Sequence, residues 1–351
     1  MKYSSKYNVA IVGATGSTGR ETIAMLEERG FPIENLVAIA SEKSIGQEVS
    51  FKNKTIKVQH FHEVDFSNIQ LAFFCAGDVF SKKNAEFVTS RGCVVIDKSS
   101  FFRLNPKVPL IVPEVNLKIL HKGAPLGIVS TPNCVATPLA VVLKALSEVA
   151  PIKRAVVSTY QSVSGAGLKA IDELYEQTKG IIAAQQPKAE IFPKQIAYNV
   201  IPAIGDIGAD GFSDEEEKIS FELCKILKSD IKVVATCVRV PVFIGHSAAV
   251  ACEFSKTIQE NVARESLENF NGIVVVDRRE DGGTFITPIE ASGEDAVYVS
   301  RIRSDPSVKN GLMFWLSCDN LRKGASLNSV QIAEEMIAKD PKLKIFKRKD
   351  S

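Results

Sequence analysis

The feature that most constrains the fold is a strand, a glycine-rich turn and a helix near the N-terminus. An apolar run from Tyr7 to Val12 is followed by Gly13-Ala14-Thr15-Gly16-Ser17-Thr18-Gly19 and then by a helical pattern that ends before Gly30. Glycine lets a backbone approach a pyrophosphate closely, and the free N–H groups at a helix start bind anions. The unit predicts a dinucleotide site. Its spacing is G-x-x-G-x-x-G, so a tight turn without a ligand remains an alternative.

Strand and helix patterns continue to alternate through the first third of the chain, which favours a mostly parallel sheet. We therefore predict a Rossmann-like α/β domain. The further apolar runs of this part are Leu36 to Ala40, Leu71 to Cys75, Cys93 to Ile96 and Leu110 to Val112.

A second domain is expected, because 351 residues exceed what one hydrophobic core normally organises. We predict that residues 1–133 form the dinucleotide-binding domain, completed by a helix within residues 325–351. Residues 134–324 are then an α+β domain with a mixed, largely antiparallel sheet. Its predicted strands are Ala155 to Tyr160, Lys232 to Val240, Ala248 to Phe254 and Gly272 to Asp277.

The composition narrows the class of protein. Lysine and arginine total 43 against 41 aspartate and glutamate, so the charge is +2 and no nucleic-acid partner is predicted. No apolar stretch approaches the roughly 20 residues that span a bilayer, and no signal peptide is apparent, so we expect a cytoplasmic protein with no membrane partner. The seven cysteines include no C-x-x-C pair, which argues against a disulfide framework and a zinc site. No metal is predicted.

Cys134 is the most reactive candidate in the chain. It lies in Pro132-Asn133-Cys134, directly before an apolar helical pattern for which Thr137 is the predicted N-cap and Pro138 the first-turn residue. The unpaired N–H groups and the dipole of a helix start stabilise a thiolate, which is the form a cysteine nucleophile needs. A buried structural cysteine is the alternative.

His246 is the best available partner for Cys134. It lies in Gly245-His246-Ser247, in the predicted turn between two strands of the second domain, where no other histidine occurs. Imidazole titrates near neutral pH and can move a proton to and from a reacting group.

The end of the second predicted strand indicates which dinucleotide is preferred. Ser41, Lys43 and Ser44 offer two hydroxyls and an ammonium to a 2′-phosphate, which favours NADP over NAD. Glu42 lies among them and would repel that phosphate if its side chain turned inward.

Several segments together resemble one enzyme family. Besides the glycine turn and Pro132-Asn133-Cys134, they are Ser99-Ser100-Phe101-Phe102-Arg103, Tyr160-Gln161-Ser162-Val163-Ser164-Gly165-Ala166-Gly167, Arg239-Val240-Pro241-Val242-Phe243-Ile244-Gly245-His246-Ser247 and Asp319-Asn320-Leu321-Arg322-Lys323-Gly324-Ala325. In order and spacing they resemble aspartate-semialdehyde dehydrogenase over residues 7 to about 338.

The resemblance implies a reaction and a set of partners. L-4-Aspartyl phosphate and NADPH would be converted reversibly to L-aspartate 4-semialdehyde, inorganic phosphate and NADP, through a thioacyl intermediate on a cysteine. The step belongs to lysine (diaminopimelate), threonine and methionine biosynthesis. Residues 134–324 would be a catalytic and dimerisation domain, and the protein a homodimer or, alternatively, a homotetramer.

The resemblance also implies roles for individual residues. Cys134 would be the nucleophile, His246 the acid/base and Gln161 the group that orients the acyl intermediate. Arg239 would bind the substrate α-carboxylate, Glu215 its ammonium, Arg103 with Lys218 the phosphate, and Asn133 would line the same site. Asn320 could bind the nicotinamide carboxamide or cap a helix. The predicted cofactor-binding residues are Gly13, Thr15, Gly16, Ser17, Thr18, Gly19, Ser41, Lys43, Ser44, Gly77, Ser164, Gly165, Gly167 and Asn320.

Three points qualify these roles. Arg103 has no obvious structural partner in the sequence, which favours a ligand for it, whereas the acidic run around Glu215 could be a solvated helix start. Lys43 stands where many bacterial members carry arginine, which weakens the grip on a 2′-phosphate. Asp78 follows Gly77 where a second glycine is more common, and an acidic side chain is unfavourable beside a pyrophosphate.

Two alternatives are open, of which the first is a related enzyme and the second a protein of a different functional class. N-acyl-glutamyl-phosphate reductase shares the fold and the Pro-Asn-Cys element, but its acylated substrate has no ammonium for Glu215, and the Arg239-to-His246 spacing also argues against it. A catalytically silent dinucleotide-binding homologue would be expected to lack Cys134 or His246, and both are present.

Overall fold

The computed structural model describes residues 5–348 of the chain. These fall into two compact units: the first runs to Pro132 and resumes at Ala325, and the second is Asn133–Gly324. Residues 1–4 and 349–351, which belong to the predicted first domain, lie outside the described residues. Within the described part of the chain, no helix has both the length and the apolar character needed to cross a membrane.

The first unit consists of a seven-stranded sheet and the helices that cover it. Its strands are β1 Tyr7–Val12, β2 Ile33–Ala40, β3 Glu48–Phe51, β4 Lys54–His60, β5 Leu71–Phe74, β6 Val94–Asp97 and β7 Ile128–Ser130, and its helices are α1 Ser17–Glu28, α2 Asp78–Ser90, α3 Pro113–Leu120 and α9 Leu327–Lys339.

The strands of this sheet lie in the order β3-β4-β2-β1-β5-β6-β7, and all neighbours are parallel except the β3–β4 hairpin. The side chains of Val9 and Ile11 pack into a core on one face, while Ala10 and Val12 pack into a second core on the other. Burial on both faces explains why the predicted strand is apolar without alternation.

The predicted run Leu110 to Val112 is buried but is not a strand, and only Leu110 forms an isolated bridge, to Ser130. The amide side chain of Asn116 accepts the main-chain N–H of Val112 at 3.0 Å and donates to the carbonyl of Leu110 at 2.9 Å. The Asn116 side chain thus makes hydrogen bonds that a neighbouring strand would otherwise make with this run. The edge strand of the sheet is therefore β7.

The second unit consists of a six-stranded mixed sheet and its own helices. The strands are β8 Ile152–Gln161, β9 Lys232–Arg239, β10 His246–Phe254, β11 Ile273–Val275, β12 Val297–Asp305 and β13 Gly311–Cys318, and the helices are α4 Ala136–Val149, α5 Leu168–Ile182, α6 Asp214–Leu227, α7 Glu260–Glu268 and α8 Pro288–Ala291.

These strands lie in the order β11-β12-β13-β10-β8-β9, with antiparallel pairs in the centre and parallel pairs at both edges. The expected mixed, largely antiparallel sheet is confirmed. Strands β12 and β13 were not predicted.

Candidate active site

The register of the second sheet gathers polar residues at one edge. Gln161 is paired with Arg239 across the parallel strands β8 and β9. His246, the first residue of β10, lies opposite Cys318, the last residue of β13. His246 and Ser247 therefore belong to a strand, not to the predicted turn. The carboxyl ends of β8, β9 and β13 meet the amino end of β10, so segments distant in sequence come together here.

Cys134 is half-buried in the turn that enters α4. The helix begins at Ala136, and the residue that caps it is Asn133 and not the predicted Thr137. Asn133 Oδ1 accepts the main-chain N–H groups of Val135 at 2.8 Å and Ala136 at 3.2 Å. Thr137 lies inside the first turn, where its hydroxyl donates to the Asn133 carbonyl at 3.0 Å. Asn133 thereby fixes the backbone on both sides of the thiol.

Two carboxylates of α6 hold Asn133 in turn. Its main-chain N–H donates to Glu222 Oε2 at 2.6 Å, and its side-chain amide donates to Glu215 Oε1 at 2.8 Å. Glu222 is buried and was missed in the sequence. The available signal was its position seven residues after Glu215, which places both on one face of the helix.

Gln161 joins the same cluster. Its side-chain N–H donates to Glu215 Oε1 at 3.0 Å, and its carbonyl oxygen accepts from the Thr159 hydroxyl at 3.1 Å. Glu215 is half-buried and tied to two amides, so it is not part of a merely solvated helix start. The neighbouring Glu216 has a structural role, since it forms a capping box with Ser213. Lys218 lies half-buried one turn further along α6.

Arg239 is the cation of the cluster and is only 6% exposed. Its Nη1 donates to the Ser162 carbonyl at 2.7 Å, and its guanidinium lies 5.8 Å from the ring centre of Phe192. Burial lowers the pKa of Arg239, while the charges of Cys134 and Glu215 act in the opposite direction. Arg239 thus couples electrostatically to the predicted nucleophile.

His246 is 1% exposed, and its two ring nitrogens differ. Nδ1 accepts the main-chain N–H of Ser162 at 3.0 Å and lies 3.1 Å from the Ser162 hydroxyl. Nε2 is buried and has no hydrogen-bond partner among the described residues. Burial, and then the positive charge of Arg239, lower the pKa of His246 well below its usual value.

Gly165 leaves the space between these two side chains. A methyl group on its Cα would lie 3.1 Å from Arg239 Nη1 and 3.2 Å from His246 Nε2, closer than ordinary van der Waals contact. Glycine at this position therefore avoids a close contact with the polar atoms of Arg239 and His246.

Asn320 organises the loops around His246. Its Oδ1 accepts from Gly245 N at 2.9 Å and from the hydroxyls of Ser162 and Ser164 at 3.1 Å each, and its Nδ2 donates to Ser164 at 3.0 Å. Asn320 does not cap a helix with these bonds. Its predicted contact with a carboxamide, like that of Ser164, stays a prediction.

Arg103 belongs to the first unit, and there it has structural partners, contrary to expectation. Nε donates to the Thr131 carbonyl and Nη2 to the Lys98 carbonyl, both at 3.0 Å.

The predicted dinucleotide turn follows β1 and enters α1. A Cβ at Gly13 would lie 2.6 Å from the Cys75 carbonyl oxygen, and a Cβ at Gly19 would lie 2.1 Å from that of Gly13. The fold itself therefore requires these two glycines. Gly16 is different, because a Cβ there would meet only the Gly13 oxygen, at an ordinary 3.5 Å.

Other predicted cofactor residues lie at the carboxyl ends of neighbouring strands. Ser44 accepts from the Thr15 hydroxyl at 3.1 Å, and Gly77 has φ +82° with open space around its Cα. Ser41 precedes a short 3₁₀ turn that contains Lys43. Ser17 and Thr18 form the start of α1.

Two acidic side chains near these residues have contacts of their own. Asp78 accepts the main-chain N–H of Ser100 at 2.7 Å and also its hydroxyl, so it is engaged by Ser100. The Glu42 side chain is 90% exposed, with its carboxylate 3.9 Å from His60 Nε2.

Each of the two units matches a known protein family. A family model described as semialdehyde dehydrogenase, NAD binding domain, matches residues 8–122, and one described as semialdehyde dehydrogenase, dimerisation domain, matches residues 143–323. The presence of a nicotinamide-dinucleotide-binding domain and of a dimerisation domain is thus established.

Two relatives that match over nearly the full length of the chain have the same name. The chain is 52% identical to aspartate-semialdehyde dehydrogenase of Rickettsia bellii over 95% of its own length and 98% of the relative's, and 46% identical to that of Aquifex aeolicus over 94% and 98%. A crystal structure of aspartate semialdehyde dehydrogenase II from Vibrio cholerae, complexed with ASA, superposes with a TM-score of 0.93 at 40% identity, over 95% of this chain and 99% of that one. The chain belongs to the aspartate-semialdehyde dehydrogenase family.

Proposed function

We propose that the chain oxidises L-aspartate 4-semialdehyde reversibly to L-4-aspartyl phosphate, with inorganic phosphate as second substrate and NADP as hydride acceptor. The observation that carries the proposal is the placement of Cys134 at the start of α4, directly after Asn133, whose side-chain amide shares Glu215 Oε1 with Gln161, the strand partner of Arg239. A helix N-terminus and a guanidinium both stabilise a thiolate.

Cys134 is the nucleophile in this reaction. Its thiolate adds to the aldehyde carbon, so that an S–C bond forms and the carbonyl electron pair moves to oxygen. A bound NADP would supply the hydride acceptor for that carbon, and Cys134 would then hold the acyl group as a thioester. A phosphate oxygen then attacks the thioester carbon, and the C–S bond breaks to release aspartyl phosphate and the thiolate.

The charged side chains suit the ends of the substrate. Arg239 offers a planar fork for the α-carboxylate, and Glu215 a carboxylate for the α-ammonium. Gln161, hydrogen-bonded to Glu215, would orient the acyl group, and Asn133 would hold the turn of the nucleophile. For Arg103 and Lys218 as phosphate ligands, the support is the family resemblance.

The residues of the first unit fit a dinucleotide. A tight turn accounts for Gly13 and Gly19 but not for Gly16, where the protein itself leaves room for a side chain. Close approach of a ligand phosphate explains that glycine, and the open position of Gly77 fits the same ligand. Ser41, Lys43 and Ser44 would hold the 2′-phosphate, which favours NADP over NAD.

The test is a spectrophotometric assay of the purified chain. Continued formation of NADPH from aspartate semialdehyde and NADP should require phosphate. The Cys134→Ala variant should form no NADPH. Phosphate-dependent turnover of N-acetylglutamate semialdehyde in place of aspartate semialdehyde would contradict the proposed substrate. Equal NADPH formation by Cys134→Ala would contradict the proposed nucleophile.

The match to a dimerisation domain supports an oligomer, and we expect a homodimer. Sedimentation should give twice the chain mass of 38.2 kDa. A tetramer or a monomer would contradict this expectation.

A further inference from the structure

Lys98 places a positive charge against the start of two helices of the first unit. It follows β6 directly, and its Nζ donates to the hydroxyls of Thr22 in α1 at 2.6 Å and of Ser326, the N-cap of α9, at 3.2 Å. Both hydroxyls donate their single hydrogen to the Thr18 carbonyl, at 2.6 and 3.2 Å, so they can only accept from Lys98. The ammonium is therefore held at a defined place beside the first turn of α1.

This charge has no close counter-ion in the part of the chain that the structure describes. Within residues 5–348, Lys98 forms no ion pair with a carboxylate, and the thiol of Cys75 and the carboxylate of Glu21 act on it only from longer range. Burial lowers the pKa of Lys98. A cation is also unfavourable beside a helix N-terminus, and both α1 and α9 begin here. The described residues thus leave a half-buried ammonium without an anion.

The ammonium lies at the place where doubly wound sheets bind their ligands. β1 is paired with β5, and the chain leaves β1 through α1 to β2 on one side and leaves β5 through α2 to β6 on the other. Ligands bind such sheets outside the carboxyl ends of the strands, at the point where the strand order reverses. The Lys98 side chain reaches from the end of β6 to α1, past the end of β5, where Cys75 Sγ lies 3.9 Å from the Thr22 hydroxyl.

We propose that Lys98 supplies the positive charge that binds the pyrophosphate of the dinucleotide. The inference rests on the proposed function only in naming NADP as the dinucleotide. The pyrophosphate is common to NADP and NAD, whereas the loop of Ser41, Lys43 and Ser44 concerns the 2′-phosphate alone. Lys98 therefore contributes to the affinity for both dinucleotides and does not choose between them.

The stability of the cofactor-free protein separates this role from a structural one. Replacement of a half-buried charge that has no counter-ion by an apolar side chain removes a desolvation cost. Lys98→Met should therefore leave the urea midpoint of the cofactor-free protein unchanged or higher. A lysine that served only to join Thr22 to Ser326 would lower the midpoint when it is replaced.

Isothermal titration calorimetry of the full-length protein with NADP and with NAD measures the binding role without any substrate. Lys98→Met should raise the Kd for both dinucleotides by a similar factor of about tenfold or more, because an interaction between charged groups is lost. Lys98→Arg keeps the positive charge and should recover most of the affinity.

Two other lysines provide matched controls. Lys83→Met removes an exposed charge of α2 and should change neither Kd. Lys43→Met should raise the Kd for NADP more than that for NAD, because only NADP carries a 2′-phosphate. The pattern expected for Lys98→Met differs from both.

Three results would overturn the role of Lys98. The first is a Kd for both dinucleotides within about twofold of wild type in Lys98→Met. The second is a rise for NADP alone, which would assign Lys98 to the 2′-phosphate. The third is a clear fall in the urea midpoint of cofactor-free Lys98→Met, which would make Lys98 a structural residue.

Failure of the proposed function gives a different result. The wild-type protein would then bind a dinucleotide but would not turn over aspartate semialdehyde, or it would bind NAD and not NADP. The role of Lys98 would still be decided by the ratio of the Kd values of Lys98→Met and wild type for the dinucleotide that binds.

Discussion

The main-chain N–H of Asn133 donates to Glu222 Oε2 at 2.6 Å, so a buried carboxylate of α6 anchors the residue that precedes Cys134. Replacing Glu222 by Ala leaves that N–H unpaired and should lower the free energy of unfolding by about 1–3 kcal/mol. We also expect kcat to fall about tenfold or more, because the nucleophile is displaced.

Two further variants control this prediction. Glu222→Gln keeps an oxygen that can accept the bond and should recover most of the activity. Glu217→Ala removes an exposed carboxylate of the same helix and should change stability by less than about 0.5 kcal/mol. If Glu222→Ala matches Glu217→Ala in urea unfolding and in kcat, Glu222 does not support the site.

Gly165→Ala should impair activity with little effect on stability. The new methyl group would press on Arg239 and His246 at 3.1 and 3.2 Å, while the backbone φ of Gly165 is not in the left-handed region. Gly180→Ala in α5 is the matched control, because its nearest neighbour is 3.9 Å away and alanine favours a helix. We expect a lower kcat/KM only for Gly165→Ala. Unchanged kinetics would mean that this space is not used.

Iodoacetamide should modify Cys134 before any other cysteine. None of the seven cysteines is in a disulfide, and burial raises the pKa of Cys237 and Cys252 to about 12. Burial also raises the pKa values of the remaining four, which are Cys75, Cys93, Cys224 and Cys318. Peptide mapping during inactivation checks the order. Earlier labelling of Cys224, with activity lost in parallel, would argue against Cys134 as the nucleophile.

His246 should make the protein less stable in acid. Its pKa is lowered in the folded state, so below the unfolded value of about 6.5 only the unfolded chain takes up the proton. The free energy of unfolding is then fully retained above that pH and falls as the pH drops towards the folded pKa, by up to about 1.4 kcal/mol per pH unit.

The variant His246→Gln should lose this part of the pH dependence, and the exposed His62→Gln should retain it. Urea unfolding at about pH 7.5 and about pH 5.5 measures the difference. Identical slopes for His246→Gln and wild type would show that His246 does not titrate as its burial requires.

Glu42→Gln should tighten NADP binding and leave NAD binding nearly unchanged, because only NADP carries a 2′-phosphate for the carboxylate to repel. The Glu42 side chain is exposed, and its carboxylate lies 3.9 Å from His60 Nε2. Titration with both cofactors checks this. Equal gains would indicate a change in loop conformation, and a wild-type preference for NAD would contradict the predicted role of Ser41, Lys43 and Ser44.

Features encoded locally could be predicted from the sequence. Strand β1 and the glycine turn were found because apolar burial and glycine geometry act within a few residues. Cys134 was recognised through the helix that follows it. The run Leu110 to Val112 is buried as expected but is not a strand, because the side chain of Asn116 bonds to its backbone, which an apolar pattern does not reveal.

Features that depend on strand register could not be predicted in the same way. Ser162 meets His246 only because β8 and β10 pair as antiparallel strands, although the two residues are 84 positions apart. The predicted role of Asn320 is a cofactor ligand or a cap, whereas its place between Gly245 and two serines follows from the pairing of β10 with β13. Thr137 was the expected cap, but Asn133 is better placed because α6 holds it.

Mass spectrometry of the covalent intermediate tests the central claim most directly. The protein is mixed with aspartate semialdehyde and NADP in the absence of phosphate, and its peptides are mapped. The account predicts an aspartyl thioester on Cys134 that disappears when phosphate is added and does not form in Cys134→Ala. An acyl group on any other residue, or full turnover without acylation of Cys134, would contradict it.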